Sequence, residues 1–236
     1  MTTGTVTSLH RWPVKSMGGE QVAALNVDRR GAAGDRAHAV FDEFKGAPRR
    51  LTAREAPRML AWHAGYGDLD PAPGELPAAT LTAPDGRAWS TADPDLPAVL
   101  GADLGRRVEL RADAALMPDL PDSLLVITRA SHEAVRAAVG GDLDVRRFRT
   151  NLLVDLDAEP FAEEGWAARR LRVGELELEL LHPCERCVIP TRDPDTQAEN
   201  PQVLRWLHRE HGGLFGINAR APVPGTIRAG DPVALV

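Results

Sequence analysis

The chain has 236 residues, with 28 Lys or Arg against 34 Asp or Glu, which gives a formal net charge of −6. Because acids and bases are interspersed, this charge excludes the global basic field that drives nucleic-acid binding, and we expect no nucleic-acid partner. No stretch approaches the roughly 20 apolar residues of a membrane helix, and the N-terminus lacks an apolar signal core. We therefore expect a cytoplasmic protein with no membrane partner.

The first hundred residues alternate short apolar runs such as QVAALNV, ATLTAPDGRAW and PAVLG with turn formers. The sequence PDG at 84–86 predicts a hairpin turn. Spacing of this kind is typical of an antiparallel sheet or barrel and not of βαβ units. The segments 93–97 and 113–122 are rich in Pro and Asp and predict linkers or long loops.

In the second half, SLLVIT predicts a buried strand that ends near Thr128, followed by a short helix that stops at Gly140. Thr128 and Ser131 would then lie at a helix N-terminus. Strict alternation of Leu and Glu in LRVGELELELLH indicates a strand with one buried face. Asn200 and Pro201 predict the start of a second helix, and TIRAGDPVALV predicts a closing hairpin with its bend at Gly230.

The segment HPCERCVIPTRDPDT contains both cysteines of the chain, Cys184 and Cys187. A chain of this length folds without disulfide staples, so the pair indicates chemistry or two small buried side chains. A thiolate is a soft ligand that suits zinc, copper, iron–sulfur centres or molybdenum. A zinc site would depart from the usual finger spacing, and its members would be His182, Cys184, Cys187, His208 and His211. A redox dithiol normally begins a helix, whereas Pro190 follows here.

Basic residues recur at predicted turns and strand ends, in WPVKS, GDR and FRTN. Taken singly, each is typical of a solvated surface charge. A phosphorylated cofactor, however, needs cations, hydroxyls and helix-end amides that converge on it. Residues of these types stand at Lys15, Ser16, Arg36, Thr128, Ser131, Arg149 and Asn151.

The order of motifs along the chain resembles the MOSC superfamily. WPVKS-MGG and GDR are followed by LTAR, FRTN-LLVD, PFAEEGW, VGELEL, PCERC-VIPTRDPDT, LFGIN and GTIRAGDPVALV. The resemblance is to two-part members with an N-terminal MOSC-associated β-barrel domain, a group that includes the mitochondrial amidoxime reducing component and its bacterial relatives. It implies a mainly β (α+β), two-lobed fold, with a β-barrel-like domain over 1–100 and a MOSC β-barrel domain with a few short helices over 101–236.

The resemblance also implies a molybdenum cofactor, Mo-molybdopterin, in a cleft between the lobes. Cys187, the second cysteine of PCERC, would ligate the metal and serve as the catalytic residue. The implied cofactor contacts are Lys15, Ser16, Arg36, Thr128, Ser131, Arg149, Asn151 and Arg186. Two departures affect the loops, because Thr150 replaces the proline of the family's FRPN and Gln197 replaces the glycine of its DPDTG. We therefore expect the loop geometry near the metal to differ.

The implied activity is the reduction of small N-hydroxylated compounds. Two cysteines cannot ligate an iron–sulfur cluster by four thiolates, so electrons would come from an external electron-transfer protein of ferredoxin or cytochrome type with its reductase. Two alternatives remain. Cys187 could carry sulfur as a persulfide in a sulfur-carrier or sulfurtransferase reaction, or the chain could be a non-catalytic carrier of the cofactor.

Overall fold

A computed structural model describes residues 2–112 and 124–236, so the candidate linker at 113–122 lies outside the described residues. β-Strands form most of the regular structure. They are β1 (Thr3–Arg11), β2 (Glu20–Val22), β3 (Ala24–Asp28), β4 (Gly31–Ala32), β5 (His38–Phe44), β6 (Ala47–Arg50), β7 (His63–Gly65), β8 (Thr80–Thr82), β9 (Ala88–Ser90), β10 (Glu109–Ala112), β11 (Leu124–Thr128), β12 (Leu152–Leu156), β13 (Arg170–Val173), β14 (Leu176–Glu185), β15 (Leu214–Arg220), β16 (Gly225–Arg228) and β17 (Pro232–Leu235).

The described residues also form three α-helices and four short 3₁₀ helices. The α-helices are α1 (Leu96–Leu104), α2 (Arg129–Val139) and α3 (Gln202–His211), and the 3₁₀ helices are η1 (Pro57–Ala61), η2 (Val145–Phe148), η3 (Ala162–Gly165) and η4 (Ile189–Thr191). In this part of the chain, no helix is both long and apolar enough to cross a membrane. The predicted mainly β class is confirmed.

Seven strands close into a barrel in the order β12, β11, β15, β14, β13, β17 and β1, and β1 pairs with β12 to complete the ring. The short strand β2 pairs with the end of β1. The register sets Leu9 against Leu152 on one side of β1 and Thr3 against Ala234 on the other. Since closure leaves no free sheet edge, the first strand of the chain completes a barrel whose other strands come from the second half.

Strand β11 shows why an unbroken apolar run suits its place. Leu124 and Val126 point into the barrel core, whereas Leu125 and Ile127 pack under helices α2 and α3. Both faces of the strand are therefore buried, and alternation with polar residues is absent. The helix that follows begins as predicted, because Thr128 is its N-cap and accepts a hydrogen bond from the amide of Ser131 (3.1 Å).

The other described strands form small three-stranded sheets, one of which, β16-β3-β4, joins a strand from the C-terminal part to two from the N-terminal part. Two of them, β10-β5-β6 and β7-β8-β9, surround a second core that includes Met59, Trp62 and Leu81. The predicted turn at 84–86 is confirmed, since β8 and β9 pair across it and Gly86 has φ of 85°. The boundary near residue 100 stays a prediction.

Two expectations for the fold were wrong. The run PAVLG lies in helix α1 and not in a strand, because the prolines and aspartates before it form the helix start and Gly105 closes it with φ of 66°. The last two strands do not form a hairpin with each other. β16 pairs with β3, whereas β17 pairs with β1 and β13, so the bend at Gly230 sends them to different sheets.

Candidate cofactor site

Four loops that are distant in the sequence meet at one side of the barrel. They are the loop after β1, which carries Lys15 and Ser16; the loop before β5, which carries Arg36; the loop before β12, which carries Arg149; and the loop after β14, which carries Arg186 and Cys187. A closed barrel fixes the ends of its strands, so these loops have little freedom to separate.

Backbone hydrogen bonds join the first two loops. The amide of Arg36 donates to the carbonyl of Trp12 (2.7 Å), and the amide of Lys15 donates to the carbonyl of His38 (2.9 Å). Asp35 adds a side-chain link, because its Oδ1 accepts from the amide of Trp12 (2.6 Å) while its Oδ2 pairs with the guanidinium of Arg36. Lys15 and Arg36 are therefore held on adjacent segments.

Side chains join the remaining loops to this pair. Trp12 donates from its indole nitrogen to the carbonyl of Thr150 (3.2 Å), and Arg149 donates from Nη1 to the carbonyl of Met17. Arg186 donates from Nη2 to the carbonyl of Phe148 (2.5 Å). These bonds form an unbroken series of contacts from the loop after β1 to the cysteine loop.

Ser16, Arg36 and Arg149 have left-handed backbones, with φ of 63°, 51° and 53°. Residues other than glycine seldom adopt this conformation, and where they do the surrounding structure must hold them there. Strain of this kind concentrates at binding and catalytic sites. Its occurrence at three of the residues singled out from sequence points to a constrained site.

Arg149 is 8% exposed and lies with its guanidinium carbon 4.6 Å from the centre of the Trp12 ring. Burial, and next the positive charge of Arg36, lower its pKa. Its Nη2 is buried with no hydrogen-bond partner among the described residues. A buried guanidinium with an unmatched donor is costly, so an anion brought against it would be bound favourably.

Arg186, also 8% exposed, lies between the two cysteines in sequence and contacts the first of them. Its Nη1 donates to Sγ of Cys184 (3.2 Å), and its Nε is buried without a partner in the described part of the chain. Both thiols are free and half-buried. Arg186 therefore donates a hydrogen bond to the Cys184 thiol, whereas the Cys187 thiol is not bonded to this arginine.

Lys15 is half-buried, and its pKa is lowered to about 7, first by burial and then by the positive charges of Arg50, Arg36 and Arg149. A negative charge on Cys187 opposes this effect at both Lys15 and Arg149. Cys187 therefore lies close enough to interact electrostatically with both Lys15 and Arg149. Of the carboxylates, that of Asp35 opposes the lowering of the pKa of Arg149.

This donor set fits a molybdenum cofactor, because its phosphate requires converging cations and its metal requires a soft ligand. Unmatched nitrogens on Arg149 and Arg186 are what an anionic group would satisfy. The same set suits zinc poorly, since it offers one thiolate surrounded by cations.

Asn151 and Thr150 lie in the same loop as Arg149, but their side chains hydrogen-bond to backbone groups of the barrel strands. The side chain of Asn151 accepts from the amide of Leu125 (3.0 Å) and donates to the carbonyl of His10 (3.2 Å). The hydroxyl of Thr150 lies 2.9 Å from the carbonyls of Leu125 and Leu152. These residues hold the loop that presents Arg149; contact of Asn151 with a cofactor stays a prediction.

Thr128 and Ser131 belong to a different cluster, in which their hydroxyls surround Glu163. Ser131 Oγ donates to Oε2 of Glu163 (2.7 Å), and Thr128 Oγ1 lies 3.2 Å from the same oxygen. The amide of Phe161 donates to Ser131 Oγ (2.6 Å). The structure brings these two residues to the opposite end of β11 from Asn151, which is bonded at Leu125. Their contact with a cofactor also stays a prediction.

The His and Cys residues of the zinc hypothesis do not form a metal site in the described part of the chain. Within residues 2–112 and 124–236, no group of three or more His, Cys, Asp or Glu side chains is placed to hold a metal ion. His211 instead lies 2.8 Å from Glu164 and stacks on Phe161 at 3.8 Å between ring centres. The cysteine loop is followed by the 3₁₀ helix η4 and not by the α-helix of a dithiol motif.

Sequence reasoning missed Trp12, Asp35 and Arg50 as parts of the site. Trp12 and Asp35 stand inside the quoted motifs WPVKS and GDR, so their neighbours gave a usable signal. Arg50 follows another arginine at the end of β6, where it resembles an ordinary surface charge. Only the packing of β5 and β6 beside the loop after β1 reveals its charge near Lys15.

Comparison with known proteins agrees with this architecture. Residues 3–90 match the MOSC N-terminal beta barrel domain, and residues 119–234 match the MOSC domain. The chain therefore belongs to the MOSC family. The structure is also similar to that of the YuaD protein from Bacillus subtilis, with a TM-score of 0.55 at 13% identity, covering 100% of this chain and 97% of the other. At that identity the likeness shows the fold.

Curated relatives of the chain include the amidoxime-reducing components of mitochondria. The chain is 29% identical over 128 residues to mitochondrial amidoxime-reducing component 1 of Mus musculus, which covers 48% of this chain and 36% of that protein's length. It is 24% identical over 283 residues to mitochondrial amidoxime reducing component 2 of Bos taurus, covering 98% of this chain and 82% of that protein. The first match thus spans about a third of its relative.

Proposed function

We propose that the protein binds a molybdenum cofactor and reduces N-hydroxylated compounds with electrons from a separate carrier protein. The observation that carries the proposal is the set of buried, unmatched guanidinium nitrogens beside the Cys187 thiol. The similarity to amidoxime-reducing proteins supports the reaction class. Reduction of an amidoxime consumes two electrons and two protons, breaks the nitrogen–oxygen bond and yields an amidine and water.

Each residue of the site has a proposed role. Arg149, Arg186, Lys15 and Arg36 would hold the anionic part of the cofactor, and Cys187 would supply the soft ligand to the metal. The cofactor, when bound, supplies the two-electron chemistry. Trp12 packs against Arg149 and excludes water from its guanidinium, which strengthens the contact of that cation with an anion.

The first experiment measures metal in protein made in a host that synthesises the cofactor. We expect close to one molybdenum per chain and turnover of benzamidoxime when reduced viologen supplies electrons. Zinc in place of molybdenum, or molybdenum without turnover, would contradict the reductase proposal. The second outcome would favour a non-catalytic carrier.

The sulfur-transfer alternative makes a separate prediction. If Cys187 carries sulfur, the isolated protein should show a cyanide-labile persulfide at this residue and need no bound metal for sulfur release. We expect no persulfide in the metal-loaded protein, because the thiolate is engaged as a ligand. Mass spectrometry of the peptide that contains Cys187 distinguishes these results.

The electron source is tested with the same preparation. The sequence contains two cysteines and no GxGxxG turn after a predicted strand, so we expect no substrate-dependent oxidation of NADH by the loaded protein alone. A ferredoxin or cytochrome with its reductase should restore it. The coupled rate should fall with added salt, since such encounters are steered by charge, whereas the viologen rate should change less.

A further inference from the structure

A surface groove is lined by Val188, the residue that follows Cys187 in the chain. One wall is formed by Val188 and Thr191, and the other by the outer face of α3, with Pro201, Leu204, Arg205 and Arg209. Its volume is about 620 Å³. Sites for small organic ligands have volumes of roughly 300–1,000 Å³, so the groove has room for a small molecule.

The lining of the groove is mainly apolar. Val188 is 40% exposed, which makes it one of the few large aliphatic side chains left in water. Leu204 is half-buried on α3, because the buried face of that helix is formed by Val203 and Leu207. An apolar ligand laid between Val188 and Leu204 would remove both from water, at roughly 25 cal/mol per Å² of apolar surface covered.

The rim of the groove is basic although the chain as a whole carries −6. Its one acid, Glu199, is already ion-paired with Arg192 (2.5 Å). Arg209 pairs with Glu210 (2.5 Å), and since the carboxylate is well exposed in both pairs, neither pair is strong in water. Two arginines against one acid leave the lining net positive. Among the described residues, Arg205 has no carboxylate within ion-pairing distance.

We propose that this groove recognises the substrate, and that the substrate class is aromatic N-hydroxylated compounds bearing a carboxylate, which Arg205 binds. The inference rests on the proposed function, because that function places the reaction at Cys187, next to the wall formed by Val188. An apolar ring covers the lining, and a guanidinium on the rim matches a carboxylate in a two-pronged geometry.

The test compares 4-carboxybenzamidoxime with benzamidoxime as substrates of the loaded full chain, with viologen as reductant. We expect kcat/KM to favour the carboxylate about tenfold, the size of one charge-assisted hydrogen bond. Arg205→Gln should abolish this preference and leave benzamidoxime turnover unchanged. The matched control is Arg136→Gln, an exposed arginine on α2, which should retain the preference.

A binding measurement separates this inference from the proposed function. 4-Amidinobenzoate, the product of the carboxylate substrate, has no nitrogen–oxygen bond and is bound without turnover. Calorimetry should show binding that Arg205→Gln weakens about tenfold and Arg136→Gln leaves intact. If neither amidoxime is reduced but this binding pattern holds, the reductase proposal fails and the groove assignment stands.

Two results would overturn the assignment. One is equal behaviour of Arg205→Gln and Arg136→Gln in both the preference and the binding assay. The other concerns Arg205→Gln alone: its turnover of both compounds falls when a protein carrier supplies the electrons but is unchanged when viologen does. The groove would then be a docking surface for the carrier.

Discussion

Two buried polar clusters in this barrel differ in how their charges and donors are matched. Around Glu163, Oε2 accepts from Ser131 and the hydroxyl of Thr128 lies beside it, while Oε1 is buried without a partner in the described chain. Around Arg149, several cations lie together, and guanidinium nitrogens of Arg149 and Arg186 have no partner in the described chain. The first cluster lacks a donor for one carboxyl oxygen, whereas the second lacks acceptors for its cations, which an anionic ligand would supply.

The two clusters also differ in backbone conformation. The hydroxyls of the Glu163 cluster come from an ordinary helix start, with Thr128 as an extended N-cap, and one of its members, Phe161, is left-handed with φ of 64°. The cation cluster is held by left-handed residues, among them Arg36 and Arg149. The fold therefore accepts both strain and unmatched charge at the same place, which is expected where binding energy offsets them.

The largest effect is expected at Cys187, the proposed metal ligand beside the cation cluster. Cys187→Ser should lower viologen-driven reductase activity by more than about 100-fold. Loss of a residue that only hydrogen-bonds to a metal ligand costs roughly 10–100-fold, and loss of the ligand itself should cost more. Cys184→Ser should retain a measurable fraction, since that thiol contacts Arg186. Metal analysis and turnover check both. Equal losses of metal in the two variants would indicate a site that uses both sulfurs.

Arg149→Met separates binding from folding. Removing an uncompensated buried cation should raise the free energy of unfolding of the cofactor-free protein by about 1 kcal/mol, while cofactor occupancy falls about tenfold. Urea denaturation and molybdenum content are the measurements. Arg149→Lys keeps the charge but loses the planar geometry, so its occupancy should also fall.

The control for this variant is Arg170→Met, because Arg170 is exposed and paired with Glu177. It should leave both quantities nearly unchanged. If Arg149→Met destabilised the cofactor-free protein by several kcal/mol, the charge would already be compensated within the fold, and the contrast between the clusters would be lost.

The Glu163 cluster should respond in the opposite way. Ser131→Ala removes a donor to a buried carboxyl and an acceptor for the amide of Phe161, so the free energy of unfolding should fall by about 1–3 kcal/mol. If the Ser131 hydroxyl serves only this cluster, cofactor occupancy will not change. The exposed Ser90→Ala is the comparison variant. Loss of molybdenum in Ser131→Ala at temperatures where it stays folded would place this cluster in the binding site.

A smaller effect is expected from the pH dependence of Lys15. Its pKa in the folded protein is about 7, against the ordinary value of 10.5, so between these values the unfolded chain holds a proton that the folded chain has released. The free energy of unfolding of the cofactor-free protein should therefore rise as pH increases from 7 towards 10. Lys15→Met should flatten this part of the profile. Parallel urea profiles of the two proteins would contradict the lowered pKa.

The smallest effect concerns the loop in which Gln197 replaces the family's glycine. Gln197 has φ of 61°, so its backbone keeps the left-handed conformation that glycine favours, and its side chain donates to the carbonyl of Pro194 (3.1 Å). When glycine replaces Gln197, backbone strain of roughly 1 kcal/mol is relieved, but glycine loses more conformational entropy on folding, so the two effects nearly cancel. Gln197→Gly should change the free energy of unfolding by less than about 1 kcal/mol. A β-branched Gln197→Val should be clearly less stable, as thermal unfolding would show.

The sequence predicted features that depend on neighbouring residues. The turn at Gly86 and the helix that begins after Thr128 were readable, because turn and capping signals lie within a few positions of each other. The pairing of β16 with β3 and of β17 with β1 was not, since partners so distant in the chain leave no local signal. The bend at Gly230 suggested a hairpin that the barrel does not make.

The site shows the same limit. The motif order placed Lys15, Arg36, Arg149 and Cys187 in one set, and the structure brings their loops together; that they bind a cofactor stays a prediction. Which buried polar residues are already satisfied could not be read from residue types. By residue type Ser131 and Arg149 are equally suitable as ligand contacts, and the structure adds that Ser131 bonds Glu163 while one nitrogen of Arg149 is unmatched in the described chain.

The place of β1 in the barrel gives the chain an unusual seam. Thr3 pairs with Ala234, and the amide of Leu235 donates to the carbonyl of Thr2 (3.0 Å), so the two ends of the described chain lie side by side. The barrel is therefore closed by pairings between residues that are far apart in the sequence. Such pairings form only after long loops have closed, so we expect this barrel to fold slowly compared with a helical bundle of similar size.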